Sequence, residues 1–202
     1  MRQAGLIVGA AAIVMMGSTA SASMMFGYQP ESNNGNMDVS GQLSTLVTDP
    51  GGNQVTFATS NSGPISSSIA NIYFDDANDL LSSIASIAGS GGTVSFSEGG
   101  APPVFPDGPG DFDEDFRAAA GPPAPTNGVN PGETLTITFD LTGGSTVQDV
   151  VDALAASTLR IGVHVISIDG AGSESYMTPT PGAAALLGIA GLGAARRRRA
   201  ER

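Results

Sequence analysis

Between Glu133 and Leu141 the sequence reads ETLTITFDL, with Leu135, Ile137, Phe139 and Leu141 at alternate positions and Thr134, Thr136, Thr138 and Asp140 between them. Alternation this strict has the period of a β-strand, apolar on one face and polar on the other. Such a strand is stable only when a second layer covers its apolar face. The rest of the central sequence supplies candidates for that layer. Gln54 to Thr59 (QVTFAT) alternates in the same way, and Leu159 to Ile168 (LRIGVHVISI) puts Leu159, Ile161, Val163 and Val165 on one face. Ile69 to Phe74 and Thr93 to Phe96 are short β-rich runs bounded by Asp, Gly and Ser. Leu80 to Ile87 fits a helical face as well, and its strand neighbours favour a strand.

Thr146 is a helix-capping residue with an acid, Asp149, in the turn that follows, and Val147, Val150, Val151 and Leu154 recur at helical spacing. This predicts a helix over 147–156. About seven strands and one crossover helix predict a mainly β fold, an antiparallel β-sandwich with one short helix. With 28 Gly and 13 Pro, the composition agrees with many turns and few helices. Residues 99–131 are dense in Pro, Gly and Asp and read as one long loop.

The net charge is 8 − 19 = −11. Setting aside Arg2, Arg196 to Arg199, Glu201 and Arg202, only Arg117 and Arg160 face eighteen acids, about −16, with no lysine anywhere. That balance excludes nucleic acid as a partner. It fits a solvated acidic face, with a cation-binding or matrix-contacting face as the sharper alternative. There is no cysteine, so disulfides, thiol nucleophiles and thiolate zinc sites are excluded.

The two ends are of a different character. Arg2, the apolar stretch Leu6 to Met16 and then Ala20-Ser21-Ala22 have the three-part layout of a secretory signal peptide. Cleavage is expected after Ala22, so that residues 1–22 form the leader and 23–177 the extracellular domain. At the other end, 178–202, an apolar run from Gly182 to Ala195 precedes Arg196, Arg197, Arg198 and Arg199. A helix of that length covers about 21 Å, short of a bilayer core of about 30 Å. The arginines would stay on the cytoplasmic side, which suits a transient hold at the inner membrane better than a permanent anchor.

Pro179-Thr180-Pro181, the Gly/Leu/Ala-rich run and the terminal arginine cluster together resemble a PEP-CTERM sorting sequence, with Thr180 where the usual motif carries glutamate. The resemblance implies recognition by an exosortase-type membrane enzyme and cutting near Pro179 to Pro181. IANIYFDD, NGVNPGETLTITFDL and LRIGVHVISIDGAGSES in turn resemble extracellular domains commonly found ahead of such tails. That implies a sandwich fold, and it carries no activity to particular residues. The expectation is an exported, non-enzymatic cell-surface or matrix protein associated with exopolysaccharide. A secreted carbohydrate-binding module is the alternative, and a secreted hydrolase the third.

Candidate chemistry is sparse. Asp111, Asp113 and Asp115 have D-x-D-x-D spacing and could offer oxygen ligands to calcium, with Asp107 or Glu114. An EF-hand loop would need glycine sixth and glutamate twelfth, where Phe116 and Pro122 stand. The alternative is a solvated acidic loop, and no other cofactor is expected. Asp75 and Asp76 read as a strand-end turn. His164, the single histidine, reads as a sheet side chain. No G-x-S-x-G elbow occurs, and Gly89 to Gly92 read as turns.

Overall fold

In the computed structural model, residues 23–102, 105 and 112–179 are described. Their strands are β1 (Ser23–Gly27), β2 (Gln29–Pro30), β3 (Leu43–Thr48), β4 (Gln54–Asn61), β5 (Ser68–Asp76), β6 (Leu81–Gly89), β7 (Phe96–Glu98), β8 (Phe116–Ala120), β9 (Glu133–Leu141), β10 (Leu159–Ile168) and β11 (Gly172–Met177). They form two antiparallel sheets. The five-stranded sheet has the order β1-β3-β4-β9-β6, and the six-stranded sheet the order β2-β11-β10-β5-β8-β7. Helices are few: a single turn, α1 (Ala124–Asn127), and the ten-residue α2 (Val147–Ala156).

Alternation decides which faces meet. Leu135, Ile137, Phe139 and Leu141 of β9 are all buried, as are Leu159, Ile161, Val163 and Val165 of β10. Phe57 and Phe139 come from one sheet and Phe74 and Phe116 from the other. Phe74 lies 5.0 Å from Phe57 and 4.8 Å from Phe139, ring centre to centre, and Phe116 lies 5.1 Å from Phe139. These are edge-on contacts, each contributing roughly 0.5–1.5 kcal/mol beyond area burial. The apolar faces of the two sheets thus share one core.

The chain closes that core on both sides. Tyr28 stands between β1 of one sheet and β2 of the other. It is buried, and its hydroxyl lies 2.7 Å from Thr45 Oγ1, which is 2.8 Å from Thr59 Oγ1. Burial pushes the Tyr28 phenol up to about 12, against the hydrogen bonds of the two threonines. On the far side the chain passes from β6 to β7 through buried Val94. Helix α2 carries it from β9 to β10. Thr146 Oγ1 accepts from Asp149 N at 3.2 Å, Asp149 Oδ2 accepts from Thr146 N at 2.8 Å, and Val147, Val150, Val151 and Leu154 face the core.

Three expectations need correction. Eleven strands stand among the described residues rather than seven. The run expected at Thr93 to Phe96 is displaced, because β7 begins only at Phe96. The segment 99–131 is not one loop: β8 pairs Phe116 with Phe74 and Arg117 with Tyr73, and α1 follows it. FRAAA has little intrinsic β-propensity, so the strand is imposed by its partner β5. Asp75 and Asp76 end β5, as a strand-end turn requires, but both are buried and are more than turn residues.

Candidate functional site

Two clusters of polar and ionisable side chains lie around the six-stranded sheet. The first is on its outer face. Antiparallel register sets Arg160 opposite Asp75 and Gly162 opposite Tyr73. Arg160 donates from Nε to Asp75 Oδ2 at 3.0 Å, and its terminal nitrogen contacts the same oxygen. Both side chains are largely buried, so this ion pair is sheltered from solvent. The Phe112 ring lies 5.4 Å from the Arg160 guanidinium carbon and 4.6 Å from Phe105, which meets Tyr73 at 5.7 Å. Phe105 rests directly on β10. A Cβ at Gly162 would come within 2.3 Å of the Phe105 ring, so only glycine leaves room for it. Burial pushes the Tyr73 phenol up to about 12, with Arg117 opposing.

The D-x-D-x-D candidates lie beside this face. Asp111 is outside the described residues. Asp113 is exposed, and its backbone N–H, not its carboxylate, turns to Asp75 Oδ2 at 3.3 Å. Asp115 Oδ2 accepts from Asp76 N at 2.7 Å while Asp115 N donates to Phe74 O, so its side chain holds the start of β8 to the end of β5. Glu114 pairs with Arg117 at 3.1 Å. Among the described residues no group of three His, Asp or Glu side chains is placed to hold a metal ion. Asp115 ties down backbone instead, and Asp113 is itself held through its backbone N–H. Asp76 points into the body, where Oδ2 accepts from Leu81 N at 2.6 Å and Oδ1 has no hydrogen-bond partner. Burial raises its carboxyl above the ordinary range, the Leu81 amide opposes this, and the like charge of Asp115 adds to it.

The second place is a carboxylate that sequence reasoning missed. Glu174 of β11 is paired with Val165 and is 4% exposed. It accepts from Ser32 Oγ at 2.5 Å, Asn34 N at 2.7 Å, Asn36 Nδ2 at 3.1 Å and Asn36 N at 3.4 Å. Burial would raise its carboxyl, and these donors outweigh burial, holding it below the ordinary value. The same segment covers the β11 backbone. Asn34 and Asn36 donate side-chain N–H groups to Ser173 O, and Ser32 Oγ accepts from Ser175 N. Two cavities of about 330 Å³ flank this junction and share Ser32 and Glu174. One extends to Met37 and Asp38, the other to His164 and Phe105. Burial lowers the pKa of His164, which favours its neutral ring. The only sequence signal for this place was the cluster Ser32-Asn33-Asn34-Gly35-Asn36.

The expected processing residues meet the structure at its margins. Ala20 and Ala22 lie outside the described residues, and Ser23 opens β1. Thr178 is 2% exposed, donates its N–H to Ile161 O at 2.9 Å and accepts from Ile161 N through Oγ1 at 3.1 Å. The Pro179 carbonyl accepts from Ser157 Oγ at 3.4 Å. Thr180, Pro181 and Arg196 to Arg199 lie outside the described residues. Among those that are described, no helix is long and apolar enough to cross a membrane. No family model, no curated protein and no solved structure matches this chain.

Proposed function

We propose that this chain is an exported, non-enzymatic β-sandwich protein of the bacterial cell surface or extracellular matrix. An exosortase-type enzyme takes its tail at the inner membrane, and exopolysaccharide is its working environment. The observation that carries this reading is the ordered C-terminal series of Pro179-Thr180-Pro181, apolar run and Arg196 to Arg199. The body between the ends agrees with it. A cut after Ala22 would leave every described strand whole, and Thr178, directly before Pro179, is buried. Asp75, Asp76, Glu114 and Asp115 engage backbone amides or guanidinium groups through their carboxylates, which suits a structural role.

Intact-mass measurement and fractionation of the protein from its own cells test this reading. A chain beginning at Ser23, ending near Pro179 to Pro181 and found outside the inner membrane is the expected result. A chain still carrying Arg196 to Arg199 in the inner membrane would make the tail a plain anchor and remove the basis for the matrix role.

One observation favours carbohydrate binding as a second reading. The cavity at His164 and Phe105 is lined by the hydroxyl-bearing Ser32, Ser173 and Ser175 with Asn34 and Glu174, and it has no lysine or arginine, a polar lining that suits the hydroxyls of a neutral saccharide unit. Saturable binding of a neutral oligosaccharide, lost in Ser173→Trp, would establish it; an unresponsive glycan panel would remove it.

A further inference from the structure

Among the described residues the two sheets present four edge strands, and three of these edges are protected against strand addition. On the six-stranded sheet, β2 is two residues long and contains Pro30. The part of β11 beyond it is covered by Ser32, Asn34 and Asn36, whose side chains bond to the backbone of Ser173 and Ser175. The opposite edge, β7, has three residues and carries Glu98. On the five-stranded sheet, β6 is interrupted by register shifts between Leu81 and Ser83 and between Ile84 and Ser86. Short strands, proline, charge and bulges are the usual means of keeping sheet edges from pairing.

β1 has none of them. Its five residues, SMMFG, pair with β3 in unbroken register from Ser23↔Thr48 to Gly27↔Ser44. It contains no charged side chain and no proline, and Met24 and Met25 are 46% and 66% exposed. We infer that β1 is a self-association edge, along which two copies of this chain pair antiparallel and join their five-stranded sheets across a two-fold axis.

Charge argues for a second copy as the occupant. The chain carries a net −11, so two copies repel over most of their surfaces. Along β1, and at Ser44, Leu46 and Thr48 of the neighbouring β3, no charged side chain stands. Two copies can therefore approach here without setting acid against acid. A two-fold pairing centred on Met25 sets that residue against its own copy and Met24 against the copy's Phe26. Methionine is flexible enough to fill such a contact. Because each copy spends the single unprotected edge among the described residues, the assembly closes at two and does not grow into a fibre.

Sedimentation equilibrium of the protein purified from its own cells, from micromolar to millimolar concentration, tests the proposal. A reversible monomer–dimer equilibrium is expected. Met25→Lys should weaken it by about tenfold or more while leaving the thermal midpoint in place, since the site is exposed. The chain has no cysteine, so Met25→Cys provides a geometric check. Under mild oxidation M25C should give a disulfide-linked dimer, and S86C on the bulged β6 edge should not. A protein that stays monomeric to millimolar concentration would overturn the inference. So would a dimer insensitive to M25K, or one in which S86C cross-links as readily as M25C.

Discussion

Two buried carboxylates, Glu174 and Asp76, show how one residue type acts in opposite senses. Glu174 has four donors, and its pKa is lowered from an ordinary 4.5 despite burial. Its contribution to stability is therefore present above that value and lost as pH falls through the lower folded value. Asp76 is raised from 3.8 by burial, so its contribution is present below 3.8 and lost as pH rises through the folded value. Glu174→Gln leaves one acceptor oxygen and places an amide among donors. It should cost about 1–3 kcal/mol near neutral pH. The variant should also lose less stability than the wild type on acidification below the ordinary carboxylate range. Denaturant unfolding of both proteins across that range checks the prediction, and parallel curves would show that the carboxylate charge is not what holds the 31–36 segment.

At the scale of elements, helix α2 and strand β9 were legible because their signals are local. A capping box and a helical stripe fix α2, and strict alternation fixes β9. The cap makes a direct prediction. Thr146→Ala removes the acceptor for Asp149 N and should destabilise the fold by about 1 kcal/mol, read as a shift in the denaturant midpoint with unchanged slope. An unchanged midpoint would mean that tertiary packing of Val147, Val150 and Leu154 holds the helix without its cap.

What stayed illegible depends on contacts distant in sequence. β8 is a strand because β5 offers it a ladder, and FRAAA by itself does not specify one. Glu174 lies in SESYM, where nothing local marks a buried carboxylate. Its burial is decided by Asn34, 140 residues earlier in the chain. Nothing local accounts for Gly162 within its strand, and its reason, the Phe105 ring, lies in a segment whose composition pointed only to a loop. D-x-D-x-D spacing suggested ligands, yet spacing does not fix side-chain direction, and Asp113 presents backbone where a carboxylate was expected.

For the whole molecule, the fold limits how the proposed sorting step can proceed. Both sides of the core are closed by chain that crosses between the sheets, and the last described strand, β11, lies inside its sheet, between β2 and β10. Thr178 extends that strand by one residue. Its N–H and hydroxyl oxygen engage both backbone groups of Ile161, so the residue directly before Pro179-Thr180-Pro181 is tied to β10. An enzyme that draws an extended segment into its site gains no residues from the folded side of the motif unless the β10–β11 ladder opens from its end. The processed chain should therefore end at Pro179 or later, and never within β11. Thr178→Val removes the hydroxyl acceptor while keeping the side chain's shape. It should speed amide exchange at Ile161 selectively, while Val163 and Val165, deeper in the same strand, keep their wild-type protection. Terminal peptide mapping of the protein from its cells, with amide exchange on the purified wild type and variant, measures both. Mature ends inside Gly172–Met177 would show that processing precedes folding of this strand. Equal exchange at Ile161 in both proteins would show that the Thr178 hydroxyl does not hold the strand end, leaving the backbone bond to Ile161 O as the limit on unzipping.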